Sequence, residues 1–388
     1  MKRIYLDNAA TTAVRAEALE AMLPFLTERY ANPSSPHSSG QTARRALDDA
    51  REKTAAAIGA KPTEIVFTGG GSEADSLAVF GIMDAYADRG SGFITSAIEH
   101  HAVLHAADAL RRRGAQVTVL PVDAQGAVDP ATLRAALTDS TVLVSIMHAN
   151  NEIGTIQRIR ELADVAHERG ALVHTDAIQS AGHVALDAPA LGVDALTMSA
   201  HKFEGPKGVG ALFVRRGVRI RSRVVGGSQE FGKRAGTENV AGIVGLAAAL
   251  DRAMRELGEY ATVTRALRDR FIDAAVERIH DTSLNGARED RLPNNASLRF
   301  GGCDASAIMM ALDLAGVEVS TGSACTSGSL EPSHVLTAIG LAPEAARGTV
   351  RFSLGRTTAR ADIDAVTDIL PEIVEKMRRV SASGTVAR

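Results

Sequence analysis

A histidine and a lysine stand side by side in "SAHKFEGPKGVG", Ser199 to Gly210, directly after the apolar run "DALTMS". An amine just past a buried strand is costly to desolvate unless it is paired or covalently engaged, and once desolvated it is a usable nucleophile toward a carbonyl. Lys202 therefore suits Schiff-base chemistry, although a single lysine in such a place is by default a solvated one. Ser199 and His201 accompany it.

Three more segments end apolar runs with reactive or ligand-binding groups. "TGGGSEADSLAVFG" sets Gly69, Gly70, Gly71 and Ser72 at the start of a helix, where free backbone N–H groups bind phosphate. It lacks the Gly-Lys-Ser/Thr of a Walker loop and the G-x-G-x-x-G of a dinucleotide site, and alone it also reads as a plain turn capped by Ser72. "SAIEHHAVLH" supplies Glu99, His100 and His101. Adjacent histidines diverge, which argues against zinc held by His100, His101 and His105, and His100 also reads as a helix cap. "HTDAIQS" places Asp176 at a strand end with Gln179 three residues on, suited to facing a positively charged ring nitrogen or to capping a helix. A phosphate anchor, a pyridinium partner and a Schiff-base lysine in one sheet are what pyridoxal phosphate (PLP) requires.

"EVSTGSACTSGSLEPSH" adds Cys325 in a run of Ser, Thr, Gly and Ala that has little to bury, so the composition predicts a mobile segment presenting its thiol to solvent. That suits a thiol that carries a group, and equally an ordinary loop thiol, as Cys303 in "FGGCDAS" reads. Two cysteines build no disulfide framework and form no C-x-x-C pair.

These residues need a scaffold that gathers strand ends. "EIVFT", "GFITS", "QVTVL", "TVLVSIMH", "ALVHTD", "DALTMS" and "GALFVR" read as strands apolar on both faces, separated by amphipathic stretches such as "HAVLHAADALRRRG". That pattern predicts an α/β fold with a mainly parallel seven-stranded sheet, whose ligands gather beyond the carboxyl ends of its strands. "VAGIVGLAAALDRAMRELGEY" reads as one long helix leaving this part, with a boundary near Arg255. The expected division is a large domain over 15–255 and a small α+β domain made of 1–14 and 256–388, built on "NASLRF", "AGVEVS" and "GTVRFSL". The tail "SASGTVAR" reads as disordered.

With 388 residues, 45% of them hydrophobic, a large core is available. A net charge of -3, 4% aromatic residues and no basic block argue against nucleic acid, and no apolar run reaches the ~20 residues of a membrane span. A soluble cytoplasmic protein acting on a small molecule is expected.

The chain resembles the PLP-dependent cysteine desulfurases of group I, the NifS-like branch of the class-V aminotransferases. The resemblance runs from "YLDNAATT" and "NPSSPHSSG" through "SEADS", "EHHAVL", "HANNEIGTIQ", "SAHKFEGPKGVG" and "RAGTEN" to "STGSACTSGSLEPSHV" and "VRFSLGR". It implies the PLP fold type I, with Lys202 as the Schiff-base lysine, His100 stacked on the ring and moving protons, and Asp176 paired with the ring nitrogen. Asn151 and Gln179 are implied to contact the phenolic oxygen. Gly71, Ser72, Ser199 and His201 are implied to hold the phosphate, joined by Thr237 from a second subunit. Arg351 and Asn32 are implied to grip the substrate carboxylate, and Cys325 to carry a persulfide. The implied activity converts L-cysteine to L-alanine and passes the sulfur to an acceptor protein, an iron-sulfur scaffold or a thiolation enzyme; the implied assembly is a homodimer. No resident metal is implied, Cys325 being at most a ligand to a transferred iron-sulfur cluster. The phosphate turn departs from the more usual Gly/Ala-Thr-Glu-Ser pattern but keeps a hydroxyl at Ser72. Selenocysteine lyase, a related PLP aminotransferase, and an interaction platform for sulfur-transfer machinery are the alternative activities.

Overall fold

The computed structural model describes residues 3–321 and 333–385. Twelve strands follow in chain order among these residues: β1 (Ile4–Tyr5), β2 (Ile65–Thr68), β3 (Gly92–Ser96), β4 (Gln116–Leu120), β5 (Thr141–Ser145), β6 (Leu172–Asp176), β7 (Ala195–Ser199), β8 (Gly210–Val214), β9 (Thr282–Leu284), β10 (Asn295–Phe300), β11 (Val317–Glu318) and β12 (Thr349–Ser353). The seven apolar runs of the N-terminal two thirds form one sheet in the order β2-β8-β7-β6-β5-β3-β4. Only β8 runs against its neighbours in this sheet.

Successive residues of these strands feed opposite faces. Ala211 and Phe213 of β8 pack into the core on one side, Leu212 and Val214 into the core on the other. One face is covered by α1 (Ala16–Thr27), α2 (Ser38–Ala56) and the helix Val240–Arg255, and the other by α3 (Gly71–Ala85) and α4 (His101–Arg112). Each fully buried Leu or Phe contributes roughly 1.5–3 kcal/mol relative to exposure. β4 differs from the reading of runs apolar on both faces: as an edge strand it exposes most of its residues, Val119 included.

A separate core gathers around a three-stranded antiparallel sheet, β12-β10-β9, covered by the helices Leu257–Arg278 and Arg360–Thr385. Phe271 and Phe352 meet edge-on there, with ring centroids 4.8 Å apart. Of "AGVEVS" only β11 is strand, and it pairs in parallel with β1. The single helix expected over 240–260 is interrupted at Glu256, whose carboxylate takes Arg15, Arg252 and Arg356. The tail also departs from expectation, since the last helix continues through Ser381 to Thr385. Extending an existing helix adds a hydrogen bond for each residue fixed, without a new nucleus.

The N-terminal segment ties the two sheets together. Asn8 N and Ala9 N donate to Ser353 of β12 at 3.2 and 2.8 Å, and Thr12 N donates to His201 O just past β7 at 2.9 Å. The residues between, Ala9 to Thr11, cross the carboxyl edge of the large sheet.

Candidate active site

Because β2, β3, β5, β6 and β7 are parallel, the segments that follow them meet at one edge, and a cavity of about 350 Å³ opens there. Its walls include Gly71, Ser72, His100, Asn151, Asp176, Gln179, Ser199, His201, Lys202 and Arg351, ten of the residues singled out from the sequence. Asn32 and Thr237 are exposed and do not line it. Asn32 is occupied locally, its Oδ1 accepting from Ser34 N at 2.8 Å. Cys325 lies outside the described residues.

At one end the turn after β2 opens α3. Gly70 caps the helix, so Ser72 lies inside the first turn instead of capping it. The first-turn amides of α3 face a recess shared with Thr11, Ser199, His201 and Lys207. A Cβ at Gly210 would stand 2.7 Å from Gly70 C and 2.8 Å from Met198 O, which is why β8 enters the sheet on glycine. Glu73 braces the turn, accepting from Gly69 N and Arg234 Nε, each at 2.8 Å.

Lys202 ends a short helical turn, Ala200–Lys202, whose backbone is pinned by His183 Nε2 to Lys202 O at 2.9 Å. Its ammonium donates to the carbonyls of Ala9 and Ala10, 2.7 Å each. Gln179 Nε2 donates to the same Ala9 carbonyl at 2.9 Å, so its amide N–H serves the N-terminal segment.

Asp176 is 4% exposed and accepts from Ile178 N at 2.8 Å. Burial pushes its carboxyl up to about 6, against the opposing pull of the Ile178 amide and of Lys202. His100 caps α4, Nδ1 accepting from Ala102 N at 3.1 Å. The helix-cap reading of His100 and its placement in the cavity therefore both hold. With Nδ1 an acceptor, the neutral ring carries its proton on Nε2, and burial, reinforced by Lys202, lowers its titration to about 4. His201 is lowered to about 4 as well, by burial and then Lys202 and Lys207.

On the side of the small sheet, Arg351 of β12 is 2% exposed. Its Nη2 donates to Asp7 Oδ1 at 2.7 Å and its Nη1 to Asn151 O at 2.9 Å. Glu152 and His334 complete this wall. Ser333 Oγ donates to the buried Glu152 carboxylate at 2.6 Å, and the His334 ring lies tilted against that of His101, ring centroids 4.8 Å apart.

Sequence reasoning passed over Ala9 and Ala10, Asp7, Lys207, Glu152 and His334. The conspicuous "DNAATT" and the second lysine of "SAHKFEGPKGVG" were the available signals; a backbone carbonyl leaves none.

The donor set fits PLP. Helix amides, two hydroxyls, His201 and Lys207 suit a dianionic phosphate; a buried carboxylate suits a protonated ring nitrogen; an amine, Lys202, lines the same cavity. Fold and site together define a fold-type I PLP protein. The chain belongs to the class-V aminotransferase family, whose model matches residues 4–366. It is 52% identical over 382 residues to the cysteine desulfurase IscS of Dictyoglomus turgidum, covering 98% of this chain and 97% of that protein. Among solved structures, a NifS-like protein superimposes with a TM-score of 0.91 at 36% identity, covering 96% of this chain and 100% of that one. SspA in complex with cysteine superimposes with a TM-score of 0.80 at 35% identity, covering 90% of this chain and 98% of that one.

Proposed function

We propose that the protein is a cysteine desulfurase that converts L-cysteine to L-alanine, leaves the sulfur as a persulfide on Cys325, and passes it to an acceptor protein. The observation that carries this reading is that both described flanks of the Cys325 segment are fixed at the cavity. Ser320 pairs with Arg351 through two backbone hydrogen bonds, of 2.7 and 3.2 Å, and Ser333 is bound to Glu152. The segment that carries Cys325 thus begins and ends, at its described flanks, on partners that line the cavity.

Bound in the cavity, PLP supplies an electron sink for charge that develops on the substrate. The chain supplies the rest. The Arg351 guanidinium, oriented by Asp7 and the Asn151 carbonyl, takes the substrate carboxylate. Lys202 would be the residue that holds the cofactor and the amine placed to move the proton of the substrate α-carbon, with the Ala9 and Ala10 carbonyls as its resting acceptors. Asp176 would balance a positive ring nitrogen, and Ser72, Ser199, His201 and Lys207 would hold the phosphate. His100 would stack on the ring and move protons, and Asn151 and Gln179 would contact its phenolic oxygen. The Cys325 thiolate attacks the substrate sulfur: the S–S bond forms, the carbon–sulfur bond breaks with its electron pair going to carbon, and that carbon is protonated.

The same reading makes the chain a homodimer, with Thr237 completing the phosphate site of the partner. Thr237 is exposed and lies on a stretch that also exposes Val225 and Phe231, which supports this. Residues 15–255 then form the large domain, 1–14 and 256–388 the small one. A sulfur-carrying thiol has to stay reduced, which fits the cytoplasm. Alanine assayed after adding L-cysteine to the purified protein, with no 2-oxo acid present, tests the activity. Alanine formation supports a desulfurase; a strict need for a 2-oxo acid would make the protein an aminotransferase instead.

A further inference from the structure

Behind the cavity wall lies a set of polar groups that the chemistry above does not use. Asp75 sits in the first turns of α3 and is fully buried. Among the described residues neither of its carboxyl oxygens completes a hydrogen bond. The Thr197 hydroxyl of β7 bears on it in the sense that favours its ionised form, and His174 Nε2 of β6 lies 3.7 Å from its Oδ1. Thr197 Oγ1 is 3.0 Å from His174 Nε2, and His174 Nδ1 is 2.8 Å from Ser145 Oγ of β5. These groups thus join the phosphate-binding helix to three adjacent strands, and His174 is two residues before Asp176.

Two other buried acids bear on Asp75 electrostatically, Asp176 and Glu99. Glu99 is fully buried; its Oε1 accepts from Ser96 Oγ at 2.5 Å and Met147 N at 2.9 Å, while its Oε2 has no hydrogen-bond partner among the described residues. Lys202 faces Asp176 alone of the three. His174 is the one basic side chain that bears on Asp75 among the described residues, and burial lowers its titration to about 3, so it stays neutral. Ionising Asp75 or Glu99 as well as Asp176 would place unpaired like charges together in a dry interior.

We propose that Asp75 is a positioning residue held as the neutral acid, heading a chain from Asp75 through Thr197 and His174 to Ser145 that fixes the strand bearing Asp176 and leaves Asp176 the one ionised carboxyl of the three. Protonated, Asp75 would gain a hydroxyl able to donate to Thr197, whose own hydroxyl donates to neutral His174 at Nε2, with His174 Nδ1–H donating to Ser145. Burial raises both Asp75 and Glu99, outweighing the opposing pull of Thr197 on the one and of Ser96 and the Met147 amide on the other. This inference rests on the pairing of Asp176 with the ring nitrogen of PLP.

Infrared spectroscopy of the full-length, cofactor-free protein near neutral pH tests the protonation without reference to catalysis. The Glu99→Gln protein should retain a protonated-carboxyl band, and adding Asp75→Asn should remove it; absence of the band in Glu99→Gln would overturn the proposal even if the double variant failed to fold. With PLP bound, Asp75→Asn should leave the pH midpoint of the cofactor absorption where it is in the unaltered protein, and Asp75→Ala should bind PLP about tenfold more weakly. A midpoint displaced by Asp75→Asn would mean that a charge had been removed, contradicting the neutral acid. If the absorption of the unaltered protein and of Asp176→Asn proved equally insensitive to pH, the role given to Asp176 would fail, while the infrared band would still judge Asp75.

Discussion

The Arg351 guanidinium donates to the Asp7 carboxylate at 2.7 Å, and this ion pair joins the small sheet to the N-terminal segment that floors the cavity. Asp7 is 22% exposed on its side chain and Arg351 2%, so the pair is mostly withdrawn from water. Removing the charge of Asp7 leaves the arginine in place but loosens its orientation. Asp7→Asn is expected to raise KM for L-cysteine about tenfold with kcat changed much less, a loss on the scale of one charge-assisted hydrogen bond. Steady-state kinetics checks it; a fall in kcat alone would place Asp7 elsewhere in the reaction.

Lys207 lines the recess in front of α3 and lowers the titration of His201. It is expected to act as a point charge on the phosphate. Lys207→Ala should weaken PLP binding about tenfold, and added salt should weaken PLP binding less in the variant than in the unaltered protein. Fluorescence titration with PLP reads both effects.

Buried acids and buried histidines pull stability in opposite directions with pH. Burial raises Glu99 from 4.5 to about 8, so the folded chain holds that proton while the unfolded chain has released it. The sign is that stability falls as pH rises from 4.5 toward 8. His100, His148, His183 and His201 are lowered from 6.5 to about 4 by burial, so they cost stability as pH falls through 6.5, and their contribution to the slope fades within about a unit above it. Comparing the variant with the unaltered protein from 6.5 to 8 therefore singles out Glu99. Glu99→Gln should flatten the decline of Tm across that interval in the cofactor-free protein; an unchanged slope would mean that Glu99 is already ionised at pH 6.5.

Six of the seven strand runs were legible because both faces of these strands are buried, as Ala211 to Val214 show by feeding two cores in alternation; the edge strand β4 is the exception. Lys202, Asp176 and His100 were legible only in combination, since each alone has an ordinary use, as a solvated lysine or a helix cap, while together after strands of one sheet they match what PLP requires. The Ala9 and Ala10 carbonyls were hidden, because any residue can supply a carbonyl and its aim is set by the crossing from Ser353 to His201. Asp75 was hidden by its helix, where one acid among small residues reads as part of a polar face. The break at Glu256 depends on Arg15 and Arg356, which come from opposite ends of the chain.

Alanine formation from L-cysteine by Cys325→Ala is the most direct test of the central claim that sulfur leaves the substrate for that thiol. The variant should bind PLP with unaltered visible absorption, because each cofactor contact named here lies on other residues, yet its alanine formation should collapse. Cys303→Ala is the control: that thiol is buried, Sγ 3.7 Å from Val374 O in the small core, and its removal should leave alanine formation intact. Sustained turnover by a PLP-loaded Cys325→Ala protein would contradict the account.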